Sequence, residues 1–188
     1  MRSKVVFFLT FALSLLMMSS CEDSSMTKDI YDDWWPIHAS GSQETEFFTA
    51  HWDGDLNNFG NIDVTFVDKT DPSLTYVQTK NYYALSFVKG RESFCYIDIS
   101  DRTPQGSRYY KFQIKDKKIY FEVPSDSGRG SGTFDEGHDI TFLDKDHVKI
   151  DNVKYERYSV YYEKNKSSNK TTELAPYDGR IPVVSYAE

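Results

Sequence analysis

The stretch YYKFQIKDKKIYFEV, residues 109–123, reads as two alternating runs joined by a short polar turn. Tyr110, Phe112 and Ile114 stand against Lys111, Gln113 and Lys115. After KDKK at 115–118 the alternation resumes with Ile119, Phe121 and Val123. A period of two in β-branched and aromatic residues belongs to a strand with one face buried. The segment is therefore a β-hairpin, and it sets the expectation for the rest of the chain.

The same period runs outward in both directions. NIDVTFV places Ile62, Val64 and Phe66 on one face, and YYALSFV does so with Tyr83, Leu85 and Phe87. HDITFL, HVKI and NVKYERYSVYY continue it toward the C-terminus. Turn signals separate the runs: DPS at 71–73, KGRE at 89–92, RTPQG at 102–106, DKD at 144–146 and DN at 151–152. Strands are expected at 34–40, 46–52, 61–68, 74–88, 93–99, 108–115, 118–123, 139–143, 147–150 and 153–162, the long one broken near Lys80 and Asn81. No segment shows a period of 3.6. The fold class is all-β: an antiparallel meander of eight to ten strands closing into a β-barrel, with a β-sandwich as the alternative. Closure removes exposed strand edges.

The first twenty residues stand apart. Arg2 and Lys4 precede VVFFLTFALSLLMM, an apolar run of signal-peptide length, shorter than the roughly 18 residues of a spanning helix. LMMSSC then ends on Cys21 and resembles the lipobox of bacterial lipoproteins. That resemblance implies a signal peptide over 1–20, cleavage before Cys21 and a lipid on its sulfur. Several acyl chains on one residue anchor stably where a single chain holds only marginally. Residues 21–31 read as a tether, 32–163 as the barrel domain, and 164–188 as a polar linker with a C-terminal tail in which IPVVSY is a short strand candidate. Glu22 and Asp23 resemble the acidic signal that carries some lipoproteins of Bacteroidetes to the cell surface; a solvated linker is the other reading.

The formal net charge is −7, and Arg2 and Lys4 leave with the signal. Nucleic acid is excluded as a partner, because it demands clustered Lys and Arg. Anionic lipid would not hold such a chain electrostatically, so the lipid on Cys21 makes the membrane contact. The chain has two cysteines. With Cys21 acylated, Cys95 in FCYIDIS is expected to be a buried, inert thiol.

The lipobox, the short tether, DDWWPI at the first strand, the meander and YERYSVYY at the last strand together resemble the lipocalin-like lipoproteins of Bacteroidetes. The resemblance implies a Trp on the first strand plugging one end of the barrel, with an Arg near the last strand packed across it. Trp34 or Trp35 matches the Trp and Arg157 the Arg, with Trp34 and Arg157 taken as the structural pair. Where lipocalins carry Gly two residues ahead of that Trp, this chain has Asp32.

The remaining motifs are weak as chemistry. DGDLNNFGN, 53–61, spaces Asp53, Asp55 and Asn57 like the start of a calcium loop. It lacks the Gly at the sixth position and the Glu at the twelfth, so a hairpin loop is the reading and a loose calcium site the alternative. His138 in DEGHD lacks zinc spacing. SGRGSG, 127–132, has no helix after it to cradle phosphate and reads as a mobile loop at the barrel mouth whose Arg129 is a candidate contact for an anionic group. No nucleophile elbow occurs, and no catalytic residue, metal or cofactor is expected.

Aromatic residues make up 16% of the chain. Trp35, Trp52, Tyr83, Phe87, Tyr96 and Phe121 are the candidates for a ligand pocket, lining it if the barrel is wide and filling the core if it is narrow. The expected function is that of an outer-membrane-anchored, non-catalytic lipoprotein binding a small hydrophobic or glycan-derived ligand. The alternative is an interaction lipoprotein with a packed barrel that binds another envelope protein.

Overall fold

The computed structural model describes residues 29–90, 93–99, 109–126 and 130–165. The signal, Cys21, Arg129 and the C-terminal tail lie outside these residues. The described elements run β1 (Asp33–Glu44), β2 (Phe48–Asp55), β3 (Asn61–Asp68), β4 (Thr75–Asn81), β5 (Ala84–Val88), β6 (Ser93–Ile97), β7 (Tyr110–Lys115), β8 (Lys118–Pro124), β9 (Gly130–Phe134), β10 (His138–Phe142), β11 (His147–Ile150), β12 (Val153–Arg157) and α1 (Tyr158–Asn165).

Eight strands close an antiparallel barrel: β1, β5, β6, β7, β8, β10, β11 and β12, neighbours in chain order, with β12 returning to pair with β1. The barrel is therefore a meander, and its alternation follows from the sequence. Leu85 and Phe87 face inward from β5, Phe94 from β6, Tyr110 and Phe112 from β7, Ile119 and Phe121 from β8. Ile140, Val148, Ile150 and Tyr155 complete the circle from β10, β11 and β12. Val123, expected on the same face, sits exposed at the end of β8. The hairpin over residues 109–123 is present, with Lys115 opposite Lys118. Its two turn residues, Asp116 and Lys117, have φ of 52° and 60°. Positive φ at both positions matches the right-handed twist of the flanking strands.

Two features depart from a simple meander. First, β2, β3 and β4 leave the barrel as a wing. β1 is 12 residues long, roughly 40 Å at strand rise, longer than a barrel strand here needs. Its start pairs with β5 at Asp33 and Trp34. From His38 to Glu44 that same edge takes β2. Second, β9 and β10 share one edge of β8: β9 pairs with Glu122 and Pro124, β10 with Lys118 and Ile119. The expected loop at 127–132 thus gives way to strand from Gly130. Glu122 explains this: its carboxylate accepts the N–H groups of Lys111 (2.9 Å) and Gly132 (2.9 Å), and lies where a Cβ on Gly130 would go.

The last strand is shorter than expected. β12 stops at Arg157, and residues 158–165 are helical. Tyr and Val have no helical bias of their own, so packing decides. Tyr158 and Tyr161 stack on Trp35 with ring centroids 5.1 Å away in both cases. Three residues apart, they share a helical face; in a strand they would point to opposite sides. Ile30 and Tyr31, read from sequence as tether, pack onto the barrel core, with Ile30 fully buried.

Candidate functional site

Phe87 meets Phe112 at 4.9 Å and Phe94 at 5.9 Å between ring centroids. Phe121 meets Phe94 at 4.4 Å and Tyr96 at 5.8 Å. Of the ligand candidates, Phe87, Tyr96 and Phe121 are therefore brought together, but against one another. Edge or offset contacts of this kind stabilise a core beyond the area they bury. Burial pushes the Tyr96 hydroxyl up to about 12, with the negative charge of Asp135 adding to it.

Of the other candidates, Tyr83 reaches this cluster at its edge, while Trp35 and Trp52 lie elsewhere. Trp35 packs on the face of β1 opposite Trp34, between the barrel and α1, with Ala84, Cys95 and Ile97. Tyr83 sits exposed between β4 and β5, its ring 6.2 Å from that of Tyr96. Trp52 belongs to a second, small core inside the wing, with Ala50, Val64 and Phe66. Its ring lies where a Cβ on Gly41 would stand, which is why that position is Gly. Lys80 of β4 crosses its face at 4.8 Å and bonds Gln43 of β1 at 2.8 Å. These contacts run from the first to the fourth strand, so the wing curls over its own core.

Trp34 and Arg157 are brought together. They are cross-strand partners of β1 and β12, and the guanidinium carbon of Arg157 is 4.7 Å from the Trp34 ring centroid. Arg157 also pairs with Asp32 and donates to the carbonyls of Lys145 (2.6 Å) and Asp29 (3.2 Å). The Trp34 indole N–H donates to the carbonyl of Ile30 at 2.8 Å.

The calcium-like stretch is a hairpin loop. Asn57 turns inward on the loop, its side-chain oxygen accepting the N–H groups of Phe59 (2.9 Å) and Asn61 (3.0 Å). Asp53 and Asp55 extend from β2 to either nitrogen of His38, at 2.7 and 3.1 Å. Among the described residues, no group of three or more His, Cys, Asp and Glu is placed to hold a metal ion.

Two surface features went unread in the sequence. One is the free edge of the wing. β4 ends the strand order, with no partner on its outer side among the described residues, and Val77 on it is 62% exposed. At the tip, Phe47 (61% exposed) and Leu74 (56%) flank the end of β3 from its two edges, the backbone of Lys69 bonded to Phe47 and that of Asp68 to Leu74. The other is an open groove of about 570 Å³ beside β1, lined by Ser40, Gly41, Ser42, His51, Trp52, Asp53 and Asn152. Alternation showed that these strands exist; edge position was not visible in it.

No known protein family matches the chain, and neither a curated protein nor a solved structure does. Among the described residues, no helix is long and apolar enough to cross a membrane.

Proposed function

We propose that this chain is an outer-membrane lipoprotein, anchored by lipid on Cys21, whose lipocalin-like barrel is a packed scaffold and whose wing binds another envelope protein without catalysis. The observation that carries this reading is the pairing of a ring-filled interior with a seven-residue edge strand, β4, left open beside exposed Phe47, Leu74 and Val77. An open edge presents a row of backbone donors and acceptors to an extended segment of a partner, and folded proteins rarely leave one bare without a use. Neither cofactor nor nucleic acid enters this reading.

A photo-crosslinking residue in place of Val77, expressed in the native cell, tests it. A discrete crosslinked partner at Val77, absent when the same residue replaces Lys149 on β11, is the expected result. Loss of that product on Val77→Pro, with an unchanged circular dichroism spectrum, ties it to strand addition. No product at Val77 or Phe47 sinks the reading.

The groove at Trp52 favours a second reading, a glycan-derived ligand. Asp53, Asn152, Ser40 and Ser42 offer hydrogen bonds to hydroxyls beside the edge of an aromatic ring, which is the mix that sugars use. A glycan array that stays blank for wild type, or one whose signal is indifferent to Asp53→Ala, removes it.

A further inference from the structure

The chain places His138 where the barrel strand β8 changes partner along one edge. β8 pairs with β9 on one side of residues 135–137 and with β10 on the other. Gly137 takes φ +82° there, a conformation that favours glycine. Asp135 organises the kink: one carboxylate oxygen accepts the N–H groups of Phe121 (3.1 Å) and Gly137 (3.0 Å), and the other faces His138 Nε2 at 3.0 Å. Asp151 in the β11–β12 turn ties that turn to β10. One of its oxygens accepts the N–H of Asp139 at 2.9 Å, and the other lies 2.6 Å from His138 Nδ1. Asp151 has φ +50°, so the turn is held in a backbone conformation that non-glycine residues seldom adopt.

A neutral imidazole has one N–H and one lone pair, and only the doubly protonated ring donates from both nitrogens. We propose that His138 is a pH-operated latch, its charged ring holding the β9–β10 kink to the β11–β12 turn and its neutral ring letting one of the two carboxylates go. When the proton leaves, one nitrogen presents a lone pair to an anionic oxygen. Asp135 and Asp151 are then no longer linked through the ring, and the backbone N–H groups held by the released carboxylate lose their fixed acceptor.

The surroundings agree with the direction. Partial burial opposes the charge on the ring, but the hydrogen bonds and charges of Asp151 and Asp135 outweigh it and raise the His138 pKa above 6.5. Of the surrounding groups, Lys118 across the strand pair is held by Asp139 at 3.6 Å, Lys149 of β11 lines the same hollow as Asp151, and the Tyr96 phenol of β6 lies near Asp135. The Phe121 ring, 5.4 Å away, closes the inner side. A histidine raised in the folded state stabilises it fully below the unfolded value and loses that contribution as pH rises through the folded value. The latch is closed in acid and opens toward alkaline pH.

Hydrogen exchange on the whole chain, corrected for the intrinsic pH dependence, tests this at Phe121, Gly137 and Asp139. Protection at Phe121 and Gly137, or at Asp139, according to which carboxylate is released, is expected to fall severalfold between about pH 6 and pH 9 in wild type, while β5 amides stay constant. In His138→Gln the fall disappears. Should that variant not fold, Asp151→Asn is the second arm, and it is expected to move the His138 ring titration to lower pH. A wild-type ring that titrates at or below 6.5, or protection at these three amides that ignores pH, overturns the latch. The result does not depend on what the wing binds.

Discussion

Arg157 lies across the face of Trp34, its guanidinium carbon 4.7 Å from the ring centroid, at the seam where the last barrel strand meets the first. The stack joins the two chain ends of the barrel, and the fork of the guanidinium ties in Asp32 and the carbonyls of Lys145 and Asp29. Replacing Arg157 by Lys keeps the charge and loses both the planar stack and the multiple donors. Arg157→Lys should lower stability by about 1–3 kcal/mol in urea unfolding, and Trp34→Ala by about 3–5 kcal/mol. A lysine variant as stable as wild type would show that only charge matters there.

The interior offers a second test. Phe121 touches Phe94, Tyr96 and Phe87. Phe121→Ala should cost about 3–5 kcal/mol and leave a cavity among apolar rings. Dry cavities of this kind take small apolar molecules. Benzene or xenon should therefore raise the melting temperature of the variant and leave wild type unmoved. Stabilisation of wild type by the same probe would point to a pocket already open.

His38 gives a pH prediction on the wing. Its hydrogen bond to Asp55 is the main influence; partial burial opposes it, the bond and charge of Asp53 support it, and the net effect raises its pKa above 6.5. The hold of β1 on Asp53 and Asp55 is then complete below 6.5 and lost as pH rises through the folded value. An NMR titration should find the His38 ring above 6.5 and see it drop in Asp55→Asn. No difference between the two proteins would mean the carboxylates do not engage in solution.

Tyr96 should resist ionisation. Its hydroxyl is pushed up to about 12 by burial and then by Asp135. Folding favours the neutral phenol, so this contribution is present below about pH 10 and is lost as pH rises toward 12. An ultraviolet absorbance titration of Tyr96→Phe against wild type should differ only at the alkaline end. A difference already complete near pH 10 counts against the burial.

Gly60 fixes the entry to β3. Its φ is +70°, and a Cβ there would stand 2.5 Å from the carbonyl oxygen of Tyr82. That oxygen is backbone and cannot swing aside. Gly60→Ala should destabilise by more than about 1 kcal/mol, whereas Gly90→Ala, whose added Cβ meets nothing within 4 Å, should carry only the strain of its positive φ. Equal melting temperatures for the two would refute the distinction.

Much of the architecture was written in local pattern. Alternation in NIDVTFV, YKFQIK, KIYFEV and HVKI named strands that the structure contains, because a strand half-buried on one face must alternate. The same pattern implied an all-β fold and left barrel and sandwich both open; the pairing of β12 with β1 is what closes the barrel. The pairing of Trp34 with Arg157 was suggested only through a family likeness, and it is a tertiary contact between residues 123 positions apart whose geometry no local rule supplies. Tertiary structure alone decided three things. It sent β2, β3 and β4 out of the barrel, since register on a long first strand depends on which neighbour takes each half of its edge. It turned YSVYY into helix, since Trp35 needed two rings on one face. And it set Phe87, Tyr96 and Phe121 against each other while leaving β4 bare, because period two separates the faces of a strand but says nothing about what lies across the barrel or beyond the last edge.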